Sequence, residues 1–262
     1  MIARSKLPDA YLAWNRTWGA PSGRKAIKKL VRTSWRSLPG LAQAIGPFGF
    51  QPNNSIRGYE YPWAYEMVAP KPGQRIVDVG GGLSGFQFTL SRAGAKVFNV
   101  DPGEAARGRG WPVDEATIAM LNARFGTDVV LKPCFLQDVD LEDGTIDTMV
   151  SISVMEHIPW PDLRSLLKRA HALLKPGGRF VITMDLFLDL APFTERIENE
   201  WGTNISVREL VESSGLRLVS GEKSELNGYP ELEPAAIKSK VPSYLVGDGH
   251  PALAQLFILR KA

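Results

Sequence analysis

The stretch "VDVGGGLSGF", Val77 to Phe86, decides how the chain is read. Gly80, Gly82 and Gly85 match the G-x-G-x-x-G pattern of dinucleotide loops. Such a loop leaves a strand and opens a helix. "QRIVDVG" before it reads as a short buried strand, and "GFQFTLSRAG" after it as a helix stopped by Gly94. Glycines let the backbone turn sharply and let a ligand lie against it. They do not name the ligand. Asp78, two residues before the first glycine, puts a negative charge where a pyrophosphate would be repelled.

Outward from the loop, strands alternate with helices. "AKVFNVD" is a second strand, "DVVLKPCFL" a third with a broken end, "IDTMVSISV" a fourth and "RFVITMDL" a fifth. "DEATIAMLNARFG" is a helix between Asp114 as N-cap and Gly126 as stop. "PDLRSLLKRAHALLKPGG" is an amphipathic helix with Leu163, Leu166, Leu167, Ala170 and Leu174 inward. "SVRELVESSG" opens with the capping pair Ser206 and Glu209. "LRLVSGE" and "AQLFILRKA" close the set as sixth and seventh strands. Strict alternation predicts an α/β fold with parallel strands covered on both faces. Between the last two strands lie Pro230, Pro234, Pro242 and Pro251 and no clear helix pattern, so the last strand can return antiparallel.

The chain has 262 residues, 44% apolar and 23% charged, which suits a globular protein with one large domain and a cap. The single cysteine, Cys134, has no partner for an internal disulfide. The longest apolar stretch, "FVITMDLFLDL", is broken by Asp185 and Asp189 and is too short to span a bilayer. "MIARSKLPDAYLAW" lacks a signal-peptide core, and a cytoplasmic protein is expected. The charge is uneven. Residues 1–40 hold nine Lys/Arg and one acid, +8, while the remaining residues hold 22 basic and 27 acidic side chains, −5. Residues 1–70 are expected to form a basic helical arm or cap, and 71–262 the ligand-binding domain. "SGRKAIKKLVRTSWRSL" places Ile27, Leu30, Val31, Trp35 and Leu38 on one helical face.

Four features separate the ligands. Asp78 suits the ammonium and sulfonium end of S-adenosylmethionine. Asp138 in "FLQDVDLEDGTIDTMV" can accept from an adenine amino group. "SISVMEHIP" follows the fourth strand, and "LLKPGGRFVI" turns tightly into the fifth. With "NVDPGE" these stretches resemble the class I S-adenosylmethionine-dependent methyltransferases, over roughly residues 74–262. The resemblance implies a Rossmann-like seven-stranded sheet with its last strand antiparallel. It implies that Asp78, Gly80, Gly81 and Gly82 line the methionine part of S-adenosylmethionine. Asp101 and Pro102 would hold the ribose, and Asp138 and Val139 the adenine edge. Ser153 after the fourth strand and Tyr59 before the first complete the expected cofactor set. The family often carries a cysteine or another small residue at position 81, where this chain has glycine.

Methyl transfer needs an aligned nucleophile and a dry pocket, and a base only if the nucleophile must lose a proton. Glu156 and His157 follow the fourth strand, near the expected methyl, and are the catalytic candidates. For His157 a structural role weighs as much. Arg57, Tyr59, Tyr61 and Trp63 precede the cofactor domain. Arg57 or a tyrosine hydroxyl can hold the methionine carboxylate, or the rings can simply dock the arm. The expected acceptor is a small molecule methylated on oxygen or nitrogen. The basic arm is read as a solvated cap, as a recruiter of an anionic or carrier-bound acceptor or a membrane surface, or as a nucleic-acid contact. The last is disfavoured, since no Asn/Asp-Pro-Pro-Tyr/Phe segment follows the fourth strand. No ligand-spaced His/Asp/Glu cluster suggests a metal. Two alternatives stay open: an NAD-dependent oxidoreductase and a non-catalytic S-adenosylmethionine-binding protein.

Overall fold

The computed structural model of the protein describes residues 1–24, 39–106 and 112–262. The basic helix expected over 22–38 falls almost wholly outside them. Seven strands are formed: β1 (Arg75–Val79), β2 (Lys96–Val100), β3 (Val130–Lys132), β4 (Ile146–Ile152), β5 (Leu174–Phe187), β6 (Arg217–Ser220) and β7 (Ala252–Arg260). They make one sheet in the order β3-β2-β1-β4-β5-β7-β6. Pairing is parallel from β3 through β5, and β7 runs antiparallel to both of its neighbours. The strand order reverses between β1 and β4. The crevice beyond their carboxyl ends is where such sheets bind ligands.

Side chains alternate across the sheet. Ile76, Val150 and Val181 face one core; Val77, Met149 and Ile182 face the other. The first core is covered by α4 (Phe86–Arg92), α5 (Glu115–Phe125) and the N-terminal helices α1 (Asp9–Trp18), α2 (Pro39–Ile45) and α3 (Arg57–Val68). The second is covered by α6 (Trp160–Leu173) and α7 (Val207–Ser214). Capping follows the residue types: Asp114 accepts from Thr117 N at the start of α5, and Ser206 accepts from Glu209 N at the start of α7.

Pro62 lies inside α3 and cannot donate to the Gly58 carbonyl four residues back. Asn15 Nδ2 of α1 donates to that oxygen instead, at 2.7 Å. The helix that proline would weaken is thus tied to α1. The rings of Trp14 and Tyr65 (5.5 Å) and of Tyr11 and Tyr59 (5.2 Å) pack across the same joint. The expected arm–domain boundary at residue 70 falls in the link between α3 and β1, and α3 shares the first core with the sheet.

Three expectations need correction. Leu173, not Leu174, is the last inward residue of α6; Leu174 begins β5, which runs through the Lys175–Gly178 turn. A short helix, α8 (Pro234–Lys240), occupies the last crossover, with Pro234 in its first turn where no N–H is needed. The first residues also reach the sheet. Ile2 bridges antiparallel to Gln255, beyond the part of β7 that β6 covers.

Candidate functional site

The glycine loop turns at Gly80 (φ +68°) and Gly82 (φ +51°) and is held from β2. Asp101 Oδ2 accepts from Gly82 N and its Oδ1 from Gly103 N, both at 2.7 Å, and Asn99 Nδ2 donates to Gly82 O at 2.8 Å. Gly81 also has no room for a side chain. A Cβ there would stand 2.7 Å from Asp78 Oδ2 and 2.8 Å from Asn99 Oδ1. Both oxygens are buried and have no hydrogen-bond partner. Two acceptors therefore converge under the loop with nothing to accept. Burial, with Asp101 nearby, pushes the Asp78 carboxyl up to about 8. Burial also raises Asp101, against its two backbone hydrogen bonds.

The loop forms one wall of a cavity of about 860 Å³. That is toward the upper end of the range for single-ligand sites, roughly 300–1,000 Å³. Asp78, Asp101, Gln137, Glu156, Trp160 and Ile205 are among its lining residues. Gln51, Arg57 and Tyr61 close it from the N-terminal side, and Glu198 and Thr203 from the segment after β5.

Under the β4 end lies a buried polar cluster. Ser153 takes a left-handed φ of +45°, rare for serine, and its Oγ donates to Glu60 Oε1 at 3.0 Å. Arg57 Nη1 donates to both Glu60 Oε2 and Ser153 Oγ. Asp185 N donates to Glu156 Oε1 at 3.0 Å, and His250 Nε2 bonds Asp185 Oδ2 at 3.0 Å. Burial would raise Asp185, but the His250 hydrogen bond and the Arg57 charge hold it below the ordinary range. Glu156 is driven the other way, well above it, by burial and by Asp185. Its Oε2 is buried and has no hydrogen-bond partner.

The structure brings Asp78, Gly80, Gly81, Asp101, Pro102, Ser153, Glu156 and His157 together around the cavity. Gly82 acts behind the wall, through Asp101. Three expected residues lie elsewhere. Asp138 is exposed at the end of a 3-10 turn (Leu136–Asp138), and Gln137 faces the cavity in its place. Val139 is buried in the second core, and its carbonyl accepts from Arg169 Nη2 at 3.1 Å. Tyr59 packs against Tyr11 of α1, whereas Tyr61, two residues on and turned around the helix, lines the cavity. His157 Nδ1–H donates to the Trp201 carbonyl, which gives it a structural bond as well as a place on the wall. Glu60, Asp185 and His250 were not legible as site residues, because they meet only in three dimensions.

Comparison with known proteins follows the geometry. A family model described as a methyltransferase domain matches residues 57–220. The ubiquinone biosynthesis O-methyltransferase of Bordetella avium is 28% identical over 131 residues, 49% of this chain and 50% of its own. That of Nitrosococcus oceani is 31% identical over 108 residues, 41% and 42% of the two chains. The chain spans about half the length of these curated relatives. A solved 1,6-didemethyltoxoflavin-N1-methyltransferase of Burkholderia thailandensis, with bound 1,6-didemethyltoxoflavin and S-adenosylhomocysteine, superposes with a TM-score of 0.53. It is 18% identical, and the match covers 100% of this chain and 95% of that one. The [4+2]-cyclase SpnF superposes equally well, at 0.53 with 14% identity over 77% and 79% of the chains. Likeness at this level shows the fold, which does not by itself fix the reaction.

Proposed function

The chain belongs to the methyltransferase-domain family, and from that premise we propose that it transfers a methyl group from S-adenosylmethionine to a small-molecule acceptor. The observation that carries this is the unpaired, buried Asp78 carboxyl beside the glycine loop. A buried carboxyl that titrates near 8 is satisfied by a cation. The ammonium of S-adenosylmethionine supplies one, whereas a pyrophosphate would deepen the repulsion.

In this reading Asp78 takes the ammonium, Arg57 the carboxylate, and Asp101 the ribose hydroxyls through lone pairs its backbone hydrogen bonds leave over. Gln137 and Pro102 flank the adenine end, and Glu156 stands on the acceptor side. When bound, the cofactor supplies an electrophilic methyl on a sulfonium. The residues supply alignment, a water-poor pocket and a proton acceptor at Glu156.

S-Adenosylhomocysteine should raise the thermal unfolding midpoint at millimolar concentration, and NADH should leave it unchanged. The opposite ranking would favour the oxidoreductase. Asp101→Ala should weaken S-adenosylhomocysteine binding by about 1–3 kcal/mol, the scale of a lost charged hydrogen bond. It also frees the Gly82 and Gly103 N–H groups. Unchanged calorimetric affinity would remove Asp101 from the site.

A further inference from the structure

We propose that the acceptor is an apolar amine, an aryl or alkyl body with one basic nitrogen, bound with that nitrogen against Glu156. The proposal rests on the cavity being the S-adenosylmethionine site, and its first support is Glu156 itself. The residue is 1% exposed and lines the cavity, yet Oε2 has no partner. A buried carboxyl oxygen without a donor is costly until one reaches it.

The charge of the wall is the second support. Among the described lining residues are the carboxyls of Asp78, Asp101, Glu156, Asp162 and Glu198, against the guanidinium of Arg57. With the cofactor bound, Asp78, Asp101 and Arg57 are engaged by it, which leaves Glu156, Asp162 and Glu198, with the His157 ring, to face the acceptor. An anionic acceptor, left open by the sequence, would meet repulsion. Asp162 and Glu198 are exposed at the rim, where they attract cations from solution. The third support is the body of the pocket. Ile158, two residues from Glu156, and Ile205, two residues from Thr203, whose N–H donates to the Glu156 carbonyl, present apolar surface to an alkyl or aryl group.

The chemistry agrees. In transfer to an amine, positive charge moves from sulfur to nitrogen, and the product ammonium is stabilised by the carboxylate once Glu156 has released its proton. Beside an oxyanion nucleophile the same group is repulsive. Glu156, facing Arg57 and Glu60 of α3, Asp185 of β5 and, through Asp185, His250, is held above the ordinary carboxylate range by burial and Asp185. The arriving ammonium favours the ionised form of Glu156, and that carboxylate then takes one proton from the ammonium. The freed lone pair forms the N–C bond as the S–C bond breaks, the electron pair of that bond staying on sulfur. The nitrogen leaves as a methylated ammonium, and Glu156 returns its proton to solvent.

The test uses protein saturated with S-adenosylhomocysteine, which has no sulfonium, titrated calorimetrically near neutral pH. The probes are phenethylamine, hydrocinnamate and phenethyl alcohol, similar in shape and different in charge. Phenethylamine should bind at least about tenfold more tightly than either, the scale of one charged hydrogen bond. In Glu156→Gln that preference should fall to about threefold or less. Equal or tighter binding of hydrocinnamate or the alcohol overturns the proposal. So does an unchanged preference in Glu156→Gln, or no binding of any probe at millimolar concentration. If the variant does not fold, the ranking by the parent protein still decides. Failure of S-adenosylhomocysteine to bind would instead overturn the cofactor reading, a separable result.

Discussion

Asp78→Asn should unfold later than the parent at neutral pH and should bind S-adenosylhomocysteine at least about tenfold more weakly. Folded Asp78 titrates at about 8, and an unfolded aspartate at about 3.9. Between these values the folded state holds a proton that the unfolded state has lost. Stability from this group is therefore full below about pH 4 and is lost as pH rises toward 8. Asparagine removes that dependence, and its amide can turn toward the unpaired Asn99 Oδ1. The gain near pH 8 should be on the order of 1–3 kcal/mol. Binding runs the other way. The ligand ammonium favours the ionised form, so affinity of the parent should rise with pH up to about 8, by at most about tenfold per unit. Protons should be released on binding, visible as buffer-dependent calorimetric heats, and the variant should release none from this group. Equal affinity of parent and variant would take the cation away from Asp78.

Gly85→Ala should lower the urea midpoint by about 2–3 kcal/mol or more in stability, at unchanged slope. A Cβ there would meet Phe48 Cγ and Phe48 N at 2.6 Å and Pro47 C at 2.7 Å. Backbone atoms cannot rotate aside. Phe48 is fully buried, and its ring packs on Trp14 at 5.7 Å and on Tyr61 at 4.8 Å. Tyr61 stacks in turn on Phe86 and lines the cavity. Displacing Phe48 should thus weaken S-adenosylhomocysteine binding too. Gly40→Ala is the control, since a Cβ there meets nothing within 4 Å. Equal midpoints for the two variants would refute this packing account. The last glycine of "VDVGGGLSGF", Gly85, is explained by contact with the N-terminal segment, with no phosphate involved.

Local chemistry was legible in the sequence. Asp114 with Gly126, and Ser206 with Gly215, bound their helices as capping predicts. The Asp78–Gly82 loop lies at the sheet crevice because a strand must end there. What failed depended on rotation about an element or on distant partners. Tyr59 and Tyr61 are two residues apart on α3, about 200° around the helix, so which of them meets the cavity depends on the face by which α3 docks. Asp138 and Gln137 are neighbours in one turn, and backbone geometry decides which side chain points inward. Asp185 reads as a strand residue until His250, from a loop before β7, is placed against it.

β7 sits inside the sheet, between β5 and β6, and eight of its nine residues are buried. Its pairing with β5 runs from Arg179↔Arg260 to Phe187↔Ala252. The strand that covers the β5 edge is thus synthesised only after α7, β6 and α8. Until then "FVITMDLF" offers an open, hydrophobic, bonding edge to any neighbouring nascent chain. The edge strand β6 is made before β7, the strand that joins it to the sheet.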